Sequence, residues 1–474
     1  MKLLLVILLS ILSLGCKEGE KPKSDESAPA QAKAQNTAEA EAPSATDGLS
    51  PSGIQWIEND YDKAIAEAKA ANKPLLIDMW AGWCHTCLAM KKGVLRDAGL
   101  ASLAGDYVWL GVDTEDPSSA AVMAKFPPKV WPTFFVISPS DESIQATQLG
   151  SCSVSAFREF LSRGTVGHLS QLEALDPQDP LHHLRLADRA WLASNYQEAA
   201  ASYGKALELA DQSSAWTLAA PTLKNQISAL SKLKDRKACA ELGASQMDFM
   251  VNHKSSASTD FLYYASSCAD ALPPADGDKL RAAALQALDT VLADDKASLS
   301  SDDRSDALAT CRELAEALKD DQKAKRYAQE QQALLKKASA EALTALGEMT
   351  YVWHQVEVHA YLGEGEAILP WVSDLQARLP KEYDPPYRKA WLLHKMERYP
   401  EAHESLAIAL PLVSGPRKGR LLSLQADIYK DETNFAAERT AREAVLAYYK
   451  ALPEGQRNQK HIDGATEALA ALAK

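Results

Sequence analysis

Leu75-Leu76-Ile77-Asp78-Met79-Trp80-Ala81-Gly82-Trp83-Cys84-His85-Thr86-Cys87 is the stretch on which the reading of this chain turns. Its first half follows Pro74 and is an apolar run of strand length over 74–80. Its second half opens a helix over 84–96 with two cysteines spaced C-x-x-C. Two thiols at that spacing close into one small disulfide loop. Cys84 would lie at the positive end of the helix dipole, which favours the nucleophilic thiolate. Cys87, one turn deeper, is placed to attack a mixed disulfide and release a reduced product. An inert disulfide or half of a zinc site would use the same pair. Zinc wants four ligands, usually from two such pairs. The chain has no second C-x-x-C, and His182-His183 fall in a different region, so no metal and no cofactor is expected.

Working outward, a helix is expected over 60–72, where Ala64, Ile65, Ala68 and Ala71 recur at helical spacing. Further strands are expected at 107–112 and 133–137. A closing helix over 153–163 carries Phe157, Phe160 and Leu161. This alternation predicts a three-layer α/β domain over 51–165.

In that context the segment resembles thioredoxin, and more closely the exported thioredoxin-like domains of bacterial disulfide reductases. Trp83 precedes the first cysteine as in the family's W-C-x-x-C. Asp78, six residues before Cys84, stands at the place of the family's buried acid. Pro132, in Val130-Trp131-Pro132-Thr133, matches its cis-proline. The resemblance implies an α/β thioredoxin fold, attack by Cys84 and resolution by Cys87. It also implies proton exchange between Asp78 and Cys87, and substrate binding against backbone at Pro132.

Two residues depart from the family pattern. His85-Thr86 is neither the Gly-Pro of thioredoxin nor the Gly-His of the isomerases. A protonated His85 would stabilise the thiolate and make the pair more oxidising; as a solvated loop residue, which is the expectation, it would not. Trp131 is bulky for its place and either shapes a substrate groove or covers the disulfide. These residues leave the direction of electron flow open. The resemblance implies reduction of a disulfide-bearing protein substrate, fed by a separate transmembrane electron donor.

Residues 1–16 read MKLLLVILLSILSLGC, a positive start, a short apolar core and a cysteine. The core is too short to span a membrane stably. The segment resembles a bacterial lipoprotein signal, which implies lipidation of Cys16 and export. The expected place is the periplasmic face of a membrane, the outer one favoured because Lys17 is not the Asp of the enteric inner-membrane retention signal. No later run is long and apolar enough to span, so lipid is the expected membrane anchor. The linker over 17–50 contains a run, 17–48, without aromatic residues, Val, Ile or Leu. It is expected to be a disordered tether with a reach of roughly 30 Å.

Composition excludes other classes. The 474 residues are 46 % hydrophobic and 24 % charged, as in globular proteins. A net charge of −13 with no basic block argues against nucleic-acid binding. Seven cysteines are too few for a disulfide scaffold.

From 166 to 474 alanine rises and self-similarity appears. Ala190-Trp191-Leu192 leads to Asn195-Tyr196-Gln197-Glu198-Ala199, and Ala390-Trp391-Leu392 to Arg398-Tyr399-Pro400-Glu401-Ala402. Ala426-Asp427-Ile428-Tyr429 leads to Asn434-Phe435-Ala436-Ala437. The units at 183–210, 386–411 and 419–450 resemble the tetratricopeptide repeat. That implies an all-α solenoid of six or seven helix pairs, with a cap over 464–474. Pro273-Pro274 and Pro385-Pro386 are expected in loops. The resemblance implies a groove binding a protein or peptide partner; a spacer that positions the redox domain is the plainer reading. Cys239, Cys268 and Cys311 occupy Ala-like positions and read as small buried thiols, with a Cys239–Cys268 bridge left open. Cys152 reads as a buried thiol or a third redox cysteine. A different functional class also remains: an envelope scaffold whose redox pair only senses oxidation.

Overall fold

The computed structural model describes residues 50–165, 176–210 and 216–472. Cys16, the signal segment and the tether up to residue 49 lie outside the described residues. Five strands form one sheet: β1 (Trp56–Glu58), β2 (Leu75–Trp80), β3 (Val108–Asp113), β4 (Thr133–Ile137) and β5 (Ile144–Leu149). Their order is β1-β3-β2-β4-β5. β1, β3 and β2 run parallel, whereas β4 and β5 are antiparallel to their neighbours.

The period of two along each strand sorts side chains into two layers. Leu76, Trp109, Phe134 and Val136 face one way, against Met90 of α2 (His85–Lys92) and Phe157, Phe160 and Leu161 of α4 (Val154–Thr165). Leu75, Ile77, Met79, Leu110 and Phe135 face the other, against Ala64, Ile65 and Ala68 of α1 (Tyr61–Ala71) and Val122 of α3 (Ala120–Lys125). Asp78 shares the parity of Leu76, so it points into the α2 layer.

Three details differ from the expected elements. β1 and β5 are additional strands. β1 has only three residues, and β5 buries Gln145 and Thr147, so neither reads as an apolar run. α2 stops at Lys92 rather than 96, because Gly93 breaks the helix and 94–96 winds on as a 3₁₀ turn.

The remainder is helical. α5 (Pro180–Leu192) packs on α6 (Tyr196–Ala210), and α7 (Ala219–Ser231) on α8 (Lys237–Ser245), which is followed by α9 (Met247–His253). α10 (Ser256–Ser267) packs on α11 (Pro274–Leu292), and α12 (Ser301–Ala317) on α13 (Asp321–Ala340). The short α14 (Ala345–Met349) precedes α15 (Val352–Leu362) with α16 (Gly365–Arg378) and α17 (Asp384–Lys395) with α18 (Tyr399–Ala409). α19 (Gly415–Asp431) with α20 (Phe435–Ala451) completes seven pairs among the described residues, and α21 (Gln459–Ala471) packs on α20. This last helix contains the stretch from Gly464 that was expected inside a capping helix. Pro385, Pro386 and Pro274 lie in first helical turns rather than loops, where a missing N–H costs nothing. Trp191 and Tyr203 are core residues, as their recurrence implied.

Cys239 of α8 and Cys268 at the end of α10 form a disulfide, so they are not free thiols. Cys152 and Cys311 are free. Burial pushes the Cys152 thiol up to about 12 and Cys311 higher still. Neither has the low-pKa character of a redox cysteine.

The first helices of the pairs face the sheet domain. Lys224 of α7 donates to the Leu149 carbonyl of β5 at 2.7 Å. Ser151 bonds Asp303 of α12 at 2.9 Å, and Lys92 bonds Tyr351, just before α15, at 3.0 Å. Leu88 of α2 joins a core with Met349, Val352 and Val356. At the far end Gln456 donates to the carbonyls of Thr114 and Asp116 at 3.0 and 2.8 Å. Gly455 sits so close to α3 that a Cβ there would overlap the Ala120 carbonyl oxygen. The helix face expected to carry a partner peptide thus carries the chain's own α/β domain. Residues from 49 onward cluster as one unit. Among the described residues no helix is long and apolar enough to cross a membrane.

Candidate active site

Cys84 caps the N-terminus of α2 and is disulfide-bonded to Cys87. Its sulfur accepts the Cys87 N–H at 3.0 Å, the geometry in which a thiolate is held by the first turn and the helix dipole. Both cysteines are buried, at 4 % and 1 % exposure. The Trp131–Pro132 bond is cis, as the resemblance implied. Trp80, Trp83 and Trp131 pack around the pair, with Trp83 and Trp131 tilted at 5.5 Å. Trp131 therefore covers the disulfide. Its indole N–H is fixed by Thr114 Oγ1 at 3.0 Å.

Asp78 is buried in the same layer as α2, and its carboxyl oxygens accept no hydrogen bond among the described residues. Lys91 Nζ stands 3.6 Å away. Burial raises the Asp78 carboxyl from 3.8 to about 6, with Lys91 opposing. A carboxyl tuned towards neutrality is suited to exchange a proton with a nearby thiol.

His85, expected in solvent, opens α2 and is ion-paired with the solenoid. Its Nδ1 lies 2.9 Å from Asp302 Oδ1, and Asp302 is 1 % exposed. Burial lowers the His85 pKa, but the Asp302 carboxylate outweighs it and holds the imidazole up at about 9. Thr86 Oγ1 lies 3.3 Å from the same nitrogen. His354 of α15 brings its Nε2 to 3.3 Å from His85 Nδ1. Among the described residues, His85, Asp302 and His354 are close enough together to hold a metal ion.

Glu115 is a further site residue that the linear reading did not identify. It is buried, accepts the Trp83 indole N–H at 2.8 Å and the Arg417 backbone N–H at 2.6 Å, and is raised by burial to about 7. The Arg417 guanidinium stacks 5.1 Å over the Trp83 ring. Asp302, His354 and Arg417 lie more than 200 residues from the C-x-x-C, and no linear signal couples them to it. Glu115 follows the expected strand over 107–112 without a motif. A cavity of about 430 Å³ lies between the two halves of the site, lined by His85, Thr86 and Trp131 on one side and Lys224, Asp306 and Arg312 on the other.

The fold and the paired cysteines under a cis-proline define a thioredoxin-like domain joined to a helical-repeat domain. Residues 56–139 match the family described as thioredoxin-like. The chain is 28 % identical over 108 residues to a thiol:disulfide interchange protein DsbD 1 of Pseudomonas aeruginosa, covering 22 % of this chain and 18 % of that protein. It is 25 % identical over 64 residues to DsbD of Pseudoalteromonas atlantica, covering 14 % and 11 %. The chain thus spans less than a fifth of either relative's length. Among solved structures, a tetratricopeptide repeat protein from Parabacteroides merdae is similar to 63 % of this chain over all of its own, with 12 % identity and a TM-score of 0.39. The TPR2AB domain of yeast Sti1, in its pHSP90 complex, is similar to 62 % of this chain over 98 % of its own, with 14 % identity and a TM-score of 0.23.

Proposed function

We propose that the chain is an exported, lipid-anchored thiol–disulfide oxidoreductase that reduces protein disulfides. The observation that carries this reading is the Cys84–Cys87 pair at the start of α2, beside the cis Trp131–Pro132 bond and with the buried Asp78 in the same layer. The reduced Cys84 thiolate attacks a substrate disulfide and expels one substrate thiolate. Cys87, giving its proton to Asp78, then attacks Cys84, releases the second substrate thiolate and restores the disulfide. Two electrons pass to the substrate in each cycle. A separate dithiol donor, fed through the membrane, returns the pair to its reduced form.

The surroundings favour the reducing direction. Asp78, Glu115 and Asp302 place acid around the pair, and Asp302 offsets the charge of His85. Beyond the Cys87 N–H and the helix dipole, the thiolate thus gains no net positive charge, and a dithiol whose reduced form is less stabilised is the better reductant. Export is supported by the second disulfide, Cys239–Cys268, because such bonds persist in oxidising compartments. Anchoring through Cys16 rests on the sequence of residues 1–16.

The test is the reduction potential of the pair in defined glutathione mixtures, with trapping variants. A value near −270 mV is expected; one near −120 mV would reverse the direction. Cys84→Ser should abolish reduction, and Cys87→Ala should accumulate mixed disulfides with substrate. The burial of Cys84 under Trp80, Trp83 and Trp131 favours a second reading, a scaffold whose disulfide senses oxidation. In that case Cys84→Ser leaves partner assembly intact and no mixed disulfide accumulates.

A further inference from the structure

His85 of α2, Asp302 of α12 and His354 of α15 bring three lone-pair donors to one point where the redox helix meets the solenoid, and Asp306 of α12 stands against His354. His85 Nδ1 is 2.9 Å from Asp302 Oδ1 and 3.3 Å from His354 Nε2. His354 Nε2 is 3.8 Å from Asp302 Oδ1 and 3.3 Å from Asp306 Oδ1. A tetrahedron with metal–ligand bonds of roughly 2.0–2.1 Å has edges of about 3.3 Å. The three distances among His85, Asp302 and His354 scatter around that edge, so these donors stand as three corners of such a tetrahedron, and Asp306 approaches it at His354. An ion pair accounts for His85 with Asp302. It does not account for a second imidazole whose nitrogen faces the first and also faces both carboxylates. Two carboxylates and two neutral imidazoles sum to −2, the complement of a divalent cation.

We propose that His85, Asp302 and His354 form a binding site for a borderline divalent cation of the zinc class, with Asp306 at its open side. The donors are imidazole and carboxylate, which suit such ions, and contain no thiolate. Asp302 and His354 are buried, whereas Asp306 is half exposed and lines the cavity with His85 and His354. The cation enters from that side. It ties the first turn of α2 to two helices of the solenoid.

The full chain, oxidised and freed of metal by a chelator, is titrated with Co²⁺ and then with Zn²⁺. One equivalent of Co²⁺ should bind with the visible bands of a low-coordinate nitrogen–oxygen site, and Zn²⁺ should displace it. Zn²⁺ should also raise the melting temperature, the stabilisation growing with the logarithm of its excess over Kd. His354→Ala and Asp302→Asn should each weaken binding by more than the roughly 10–100-fold that loss of an outer-shell partner costs. His354→Gln, checked by circular dichroism, covers the case in which the alanine variant does not fold. Absence of stoichiometric binding to the oxidised wild-type chain overturns the site without recourse to any variant. So does binding that survives in the His354 variants. Binding that appears only after reduction, with thiolate-to-cobalt charge transfer, places the ion on Cys84 and Cys87 and likewise overturns it.

Discussion

Asp78 is a buried acid that costs the folded state stability. Its carboxyl is raised from 3.8 to about 6, so between those values the folded chain holds a proton that the unfolded chain has released. A raised pKa stabilises the folded form fully below 3.8, and that contribution is lost as pH rises through about 6. Asp78→Asn removes the ionising group. It is expected to stabilise the protein by on the order of 3 kcal/mol at pH 8, and not at pH 3.5. Urea titrations at the two pH values measure this. If no gain appears at pH 8, the carboxylate is ionised and held by Lys91. Under the proposed function the same variant should slow release of the mixed disulfide by Cys87, measured in a single turnover. Wild-type release should slow as pH falls through about 6, because the proton acceptor is lost. Stability and chemistry then move in opposite directions at one residue, as expected where a group is kept for function. Trp131 and His85 make the same point at residue scale. Their types were visible at once, but whether each met solvent, sulfur or a carboxylate depended on neighbours far along the chain.

At the scale of elements, local pattern carried most of the reading. The apolar run of β2, the cysteines at the head of α2 and the phenylalanines of α4 have the periods of their structures. β1 and β5 escaped because an edge strand needs few apolar residues; β5 buries Gln145 and Thr147 among partners supplied from elsewhere. The helix pairs were legible from their recurring alanine-rich units, and short turns at 233–235 and 363–364 lie between helices. The Cys239–Cys268 bridge was left open because sequence spacing says nothing about the approach of α8 to the end of α10. That bridge closes a loop with a sequence separation of 29. Replacing both cysteines by alanine is expected to cost about 3–4 kcal/mol on the chain-entropy estimate. The lowered urea midpoint should match that of the reduced wild-type protein in this transition. An unchanged midpoint would show that α7, α8 and α10 are held by packing alone.

At the scale of the whole molecule, the redox helix is embedded rather than displayed. Leu88 sits in a solenoid core, Arg417 stacks on Trp83, and the turn at 454–456 holds α3. Cys84 lies under Trp80, Trp83 and Trp131, and Trp83 is itself held by Arg417 of the solenoid. Loosening the docking of the two domains should expose the thiol without touching it. Gly455→Ala places a Cβ onto the Ala120 carbonyl oxygen, an overlap that backbone movement alone relieves. After reduction, alkylation of Cys84 is expected to rise about tenfold in this variant, the change that about 1.4 kcal/mol of docking free energy produces. Labelling followed by mass measurement gives the rate. An unchanged rate would mean that Trp83 and Trp131, not the solenoid, guard the sulfur.

The amino-acid sequence by itself determined the two kinds of domain and the C-x-x-C pair at the head of a helix. It also determined the acid at 78 and the cis-proline at 132. Each of these rests on spacing within one or two elements, and such spacing is written directly into the chain. Only the tertiary structure decided that the repeat face holds the sheet domain, that Glu115 anchors Trp83, and that His85 meets Asp302 and His354. Those contacts join residues hundreds of positions apart. They arise when side chains from separate helices are packed and desolvated together, and no local propensity encodes that event.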